Sequence, residues 1–72
     1  MARFTFDNMA EFNEVFDRAY KAKDFSDPRA DAAFFYGMEG RPANDDEIVI
    51  GSLLVTTKKV GDRFQAVVEP LS

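Results

Sequence analysis

The stretch DNMAEFNEVFDRAYKAKD, residues 7–24, decides the fold. Side chains that follow one another on a helix are about 100° apart, and on this spacing the apolar residues fall in one arc of about 160°. The charged residues occupy the opposite arc, except Lys23, whose stem can lie on apolar surface while its ammonium reaches water. The apolar arc consists of Met9, Phe12, Val15, Phe16, Ala19, Tyr20 and Ala22. The pattern predicts an amphipathic helix, which needs a sheet or a second helix to cover its apolar side.

Both ends of this helix are marked. Asn8 followed by Glu11 resembles a capping box, which satisfies free backbone N–H groups of the first turn. Glu14 and Asp17 each stand four positions before a basic residue, which is the better orientation for an ion pair on a helix. The segment 25–28, FSDP, ends the helix.

The segment that follows supports two interpretations. Asp27 and Pro28 are a good start for another helix, with a capping carboxylate and a proline at the first helical position. The aromatic run FFY at 34–36 favours a strand instead. We expect one helical turn near Pro28 and then a strand over 32–38. The alternative is a second short helix that ends at Gly37.

The rest of the chain indicates β-structure. The strand candidates are residues 3–6, 47–59 and 63–69. Gly51, inside the longest candidate, predicts a bulge or bend, and residues 39–46 form a loop. We therefore expect one α+β domain, residues 1–72, with one amphipathic helix on a small, mostly antiparallel sheet. The expected order is β-α-β-β-β, or β-α-α-β-β if the second helix forms.

Composition argues against several classes of function. None of the 72 residues is cysteine or histidine, so disulfides, thiolate zinc sites and the usual general base are missing. No phosphate-binding glycine loop or nucleophile elbow occurs. We expect no enzyme activity, no cofactor and no metal. The N-terminus is too short and polar for a secretory signal, and no apolar run approaches the roughly 20 residues that span a bilayer. The expectation is a cytoplasmic protein without membrane contact.

Negative charge is concentrated in the middle third of the chain. The net charge is −4, yet residues 24–47 contain seven acids against only Arg29 and Arg41. One interpretation is a solvated segment that keeps the protein soluble. The other is a negative surface that docks on a basic protein groove by charge complementarity. The predicted partner-binding residues are Asp31, Tyr36, Glu39, Arg41, Asp45, Asp46 and Glu47.

In small size, acidity and lack of cysteine and histidine, the chain resembles the small phage-encoded inhibitors of bacterial host machinery, including anti-CRISPR proteins. The resemblance implies a non-enzymatic inhibitor in the host cytoplasm. Such a protein would occupy a basic surface of a host protein by presenting carboxylates where the phosphates of a nucleic acid would lie.

Two other functions fit the sequence. A homodimeric structural or accessory module would pair an edge strand or an exposed sheet face across a two-fold axis, using residues 32–38 and 48–55. A weak nucleic-acid binder would use Lys58, Lys59 and Arg63 at the tip of the last hairpin. Direct nucleic-acid binding is the least favoured of the three, because the chain is acidic and no basic face is apparent.

Overall fold

The computed structural model describes all 72 residues. It contains two helices and four strands, joined by turns and loops. The elements are β1 (Arg3–Phe6), α1 (Met9–Ala22), α2 (Pro28–Glu39), β2 (Glu47–Ile50), β3 (Leu53–Val60) and β4 (Arg63–Pro70). The α+β class is confirmed, and the element order is β-α-α-β-β-β. Neither helix combines the length and the apolar character that crossing a membrane requires.

The strands form one sheet in the order β1-β2-β3-β4. β1 and β2 run parallel, with Arg3 opposite Glu47 and Phe6 opposite Ile50. The other two neighbouring pairs are antiparallel, so the sheet is mostly antiparallel, as predicted. Parallel neighbours cannot be joined by a tight turn, and the two helices lie in the connection between β1 and β2.

α1 begins as the sequence predicts. The Asn8 side-chain oxygen accepts a hydrogen bond from the Glu11 N–H at 2.8 Å. The Glu11 carboxylate accepts one from the Asp7 N–H at 3.0 Å, so the returning bond of the capping box goes to the residue before the cap. Lys23 has a left-handed conformation with φ 53° and forms the C-cap.

The predicted strand over 32–38 is wrong, because these residues belong to α2. The Asp27 carboxylate accepts a hydrogen bond from the Arg29 N–H at 2.9 Å, and Pro28 occupies the first turn. The capping signal therefore outweighed the strand preference of the aromatic run. The strand preference of aromatic residues depends on context, and here Phe34 packs against Phe16 and Tyr20 of α1.

α2 also extends beyond the predicted alternative end at Gly37. Its last residue is Glu39, and the C-cap is Gly40, which has φ 75° and donates its N–H to the Tyr36 carbonyl at 2.7 Å. Glycine occupies the left-handed position after a helix without steric cost.

The predicted strand 47–59 is divided into β2 and β3 by a turn at Gly51 and Ser52. Gly51 has φ 63°, and a Cβ at this position would lie 3.5 Å from the Asp7 carbonyl oxygen. The predicted bend is therefore a full reversal of the chain. It adds a fourth strand to the sheet.

The core lies between both helices and one face of the sheet. It consists of Phe6, Phe12, Val15, Ala33, Ile48, Ile50 and Val55. Ile48 is opposite Val55, and residues opposite one another in a sheet point to the same face. The β-strand members of the core therefore share the face that the helices cover, and no helix covers the other face.

Gly37 allows α2 to approach α1 closely. A Cβ at Gly37 would lie 2.2 Å from Cε2 of the Phe16 ring. That ring stacks on Tyr20 and Phe34, with centroids 6.1 and 5.9 Å away. Neighbouring rings on these sides leave Phe16 little room to move.

Replacing Gly37 with alanine is expected to lower the free energy of unfolding by about 1–3 kcal/mol, because the added methyl overlaps the Phe16 ring. Helix propensity alone would give the opposite sign, a stabilisation of about 1 kcal/mol. Urea denaturation monitored by circular dichroism measures the difference.

The matched experiment repeats Gly37→Ala in a Phe16→Leu background, with Asp31→Ala as an exposed control on α2. Without the ring, the Gly37 substitution should lose most of its cost. An equal cost in both backgrounds would show that the contact with Phe16 is not its cause.

Candidate functional site

Three of the predicted site residues, Asp45, Asp46 and Glu47, lie together where the loop after α2 enters β2. They line an open depression of about 370 Å³, together with Met1, Thr56 and Thr57. We call these three carboxylates the acidic corner. They are consecutive in the sequence, so their proximity follows from the chain itself, and β2 and β3 supply the surface beside them.

The acidic corner is attached to the N-terminal segment. The Glu47 N–H donates to the Ala2 carbonyl at 2.8 Å, and the Asp46 side chain accepts a hydrogen bond from the Ala2 N–H at 3.3 Å. Arg3 forms an ion pair with Glu47 at 3.0 Å. These bonds fix the position of the corner relative to β1.

The other two carboxylates of the corner have no cationic partner. Asp45 is exposed and Asp46 is half-buried, and neither takes part in any of the four ion pairs of the structure. No three acidic side chains in the molecule are arranged to hold a metal ion. The corner therefore presents net negative charge to solvent and to any molecule that approaches it.

The other predicted acidic residues lie outside this depression. Asp31 is exposed on α2, and Glu39, the last residue of α2, is also exposed. At about 1.5 Å per residue, the eight steps from Asp31 to Glu39 separate these two residues by about 12 Å along the helix axis. Asp24 and Asp27 precede α2, where they line a small cavity of about 110 Å³ with Arg18 and Arg29. The acidic segment is thus distributed along the molecule, and the acidic corner is the part in which carboxylates adjoin.

The two predicted anchors, Tyr36 and Arg41, pack within the chain. The Tyr36 ring is half-buried and lies edge-on to Phe12, with centroids 5.6 Å apart. The Arg41 guanidinium lies 5.7 Å from the Phe35 ring and 5.3 Å from the Phe64 ring. Cation–π contacts of this kind hold the loop after α2 against both α2 and β4.

An apolar groove, which the sequence did not predict, lies beside Tyr36. Its volume is about 450 Å³, and its lining residues are Asn8, Met9, Tyr36, Ile50, Gly51, Ser52, Leu53, Val55 and Val68. Met9, Leu53 and Val68 are about half exposed, at 55%, 45% and 55%. The available sequence signal was the spacing of Leu53 and Val55, because residues two positions apart in a strand point to the same face. Placing the groove also required α2 to be a helix.

Arg29 and Glu11 form a polar link between β1, α1 and α2, which the sequence also did not predict. The Arg29 guanidinium pairs with the Glu11 carboxylate and donates to the Thr5 carbonyl at 3.2 Å. The backbone N–H of Asp7 and the Arg29 side chain donate hydrogen bonds that lower the pKa of Glu11. These contacts join three elements of the fold, so the link stabilises their arrangement.

No protein-family model, curated protein or solved structure matches this chain. Its function is therefore inferred from its own surfaces, which are the acidic corner, the apolar groove and the strand edges.

Replacing Glu11 with glutamine should lower stability at neutral pH and weaken its dependence on pH in acid. The pKa of Glu11 is lowered in the folded protein, so its contribution is complete above the pKa of an unfolded-chain glutamate, about 4.3. The contribution is lost as the pH falls through the lower folded-state value. Wild type should therefore lose more stability than Glu11→Gln across this acidic window.

Urea denaturation at a series of pH values between about 7 and 2 measures this difference. Glu14→Gln, at an exposed position on the same helix, controls for the loss of one helical carboxylate. Parallel pH curves for wild type and Glu11→Gln would rule out this linkage.

Proposed function

We propose that this chain is a non-enzymatic binding protein whose acidic corner occupies a basic surface of another protein. The observation that supports this best is that Asp45 and Asp46 stand at the surface without cationic partners, beside the ion-paired Glu47. A partner with Lys or Arg side chains at this spacing would supply the missing positive charge.

Backbone hydrogen bonds hold the acidic corner in one conformation, which favours binding to a partner. Asp46 donates its N–H to the Ala43 carbonyl at 2.9 Å, and Glu47 is bonded to Ala2. A binding segment that is already ordered loses less conformational freedom when the complex forms. Its exposed charges also accelerate encounter with an oppositely charged surface and exclude like-charged ones.

The partner class that fits the corner best is a protein with a nucleic-acid-binding groove. Basic side chains in such a groove bind the negative charge of phosphates, and Asp45 and Asp46 present negative charge that no cation of this chain neutralises. The acidic corner can therefore attract the same basic side chains. Inhibition of such a protein in the cytoplasm of a bacterial host, as by small phage-encoded inhibitors, is the biological role that we propose.

The nucleic-acid-binding alternative has less support. In the β3–β4 register Lys58 is opposite Gln65, and Lys59 is opposite Phe64. Adjacent residues of a strand point to opposite faces, so Lys58 and Lys59 do not form one basic surface. Phe64, the aromatic ring beside this hairpin tip on which a base could stack, already lies beside Lys59 and Arg41 of the same chain.

Reversing two charges of the acidic corner, Asp45→Lys with Asp46→Lys, should slow association with the partner by about tenfold or more at low salt. Capture from a bacterial host lysate on immobilised wild-type protein and on the variant, compared by quantitative mass spectrometry, identifies the partner. The on-rate is then measured with the purified partner at two salt concentrations.

Glu14→Lys with Asp17→Lys is the matched control, because it makes the same charge change on the exposed side of α1. The control should retain the partner, and nucleic acid should compete with wild type for it. Equal association rates for both double variants would refute the proposed role of the corner.

A further inference from the structure

β4 is an edge strand whose central segment, residues 64–68, lacks the features that usually prevent edge-to-edge pairing. Its only neighbour in the sheet is β3, and its eight residues pair with β3 without interruption, from Val60 opposite Arg63 to Leu53 opposite Pro70. Between positions 64 and 68 there is no charge, proline or bulge. Natural proteins commonly use those features to block strand addition.

The free edge of β4 carries the backbone groups of alternate residues. The Leu71 N–H donates to the Ser52 carbonyl at 2.7 Å, which directs Leu71 toward β3. Backbone groups alternate in direction along an antiparallel strand. The N–H and C=O groups of Phe64, Ala66 and Val68 therefore point away from β3, toward the free edge.

We propose that two copies of this chain pair through β4, antiparallel and in one register, around a two-fold axis at Ala66. The sequence of the strand complements itself about that residue. Arg63 of one copy faces Glu69 of the other, and Phe64 faces Val68. Both pairs occur twice by symmetry, as an isologous interface requires.

This register also satisfies the free backbone groups. Ala66 pairs with Ala66 of the other copy, Phe64 pairs with Val68 of the other copy, and Val68 pairs with Phe64 of the other copy. Each of these three pairs exchanges two N–H···O bonds, which gives about six hydrogen bonds. A shift by two residues in one direction would place Phe64 opposite Pro70, which has no N–H to donate. A shift in either direction would separate Arg63 from Glu69.

The same pairing covers apolar surface. Phe64 and Val68 are 53% and 55% exposed in the single chain. Both lie on the helix-facing side of the sheet, since Val68 is opposite the core residue Val55. Phe64 of the second copy therefore lies against Val68, at the rim of the apolar groove. The interface uses none of the residues of the acidic corner, so it does not depend on the proposed function.

Sedimentation velocity of the purified chain over a range of concentrations up to about 1 mM, the weakest affinity of interest, tests the proposal. Wild type should form a dimer. Arg63→Glu alone and Glu69→Arg alone place like charges opposite one another at two symmetric positions. Each should raise the dissociation constant by about tenfold or more. The double variant, Arg63→Glu with Glu69→Arg, should restore dimerisation.

Ala66→Pro is a second variant, because it removes an N–H that points away from β3 and so leaves the β3–β4 ladder intact. It should give a folded monomer by circular dichroism. Asp45→Lys with Asp46→Lys should leave the dimer unchanged, which separates this proposal from the acidic corner. A wild-type monomer over the whole range, a dimer insensitive to Ala66→Pro, or a monomer that binds only an extended foreign peptide at β4 would overturn the proposal.

Discussion

Burial of Phe6 is the interaction on which the rest of the structure depends. Its side chain has no exposed surface. It lies edge-on to Phe12, with centroids 5.2 Å apart, and beneath the Arg29 guanidinium at 5.1 Å. β1 has only four residues, too few to hold its place by hydrogen bonds alone. Burial of a phenylalanine contributes about 1.5–3 kcal/mol, and through Phe6 that contribution joins β1 to both helices.

The parallel pairing of β1 with β2 determines which surfaces stay open. It requires a long connection, and here both helices of that connection lie on one face of the sheet. No helix covers the opposite face, although Val49 on that face is only 3% exposed, and the outer edge of β4 has no neighbouring strand. Only 10 of the 72 residues are buried, so the core is small, and contact with a partner would add apolar burial that the chain cannot supply alone.

The acidic corner is formed by neighbours in the chain, whereas the β4 edge and the apolar groove are formed by residues that are distant in the chain. The corner was predictable, because Asp45, Asp46 and Glu47 are neighbours in the chain and remain so in any fold. Its attachment to Ala2 was not predictable, since that contact joins residues more than forty positions apart. The apolar groove and the free edge of β4 likewise depend on which strands pair, and strand pairing is a long-range property.

The sequence by itself determined the helix α1 with its Asn8 cap, the final hairpin and the absence of thiol and imidazole chemistry. Each of these follows from residue type or from spacing within a few positions. The tertiary structure decided the conformation of residues 28–39, where a helix cap and an aromatic run made opposite local predictions. There the helix places Ala33 in the core and Gly37 against the Phe16 ring. A strand would direct neighbouring side chains to opposite faces, and α1 would lose part of the cover that its apolar side requires.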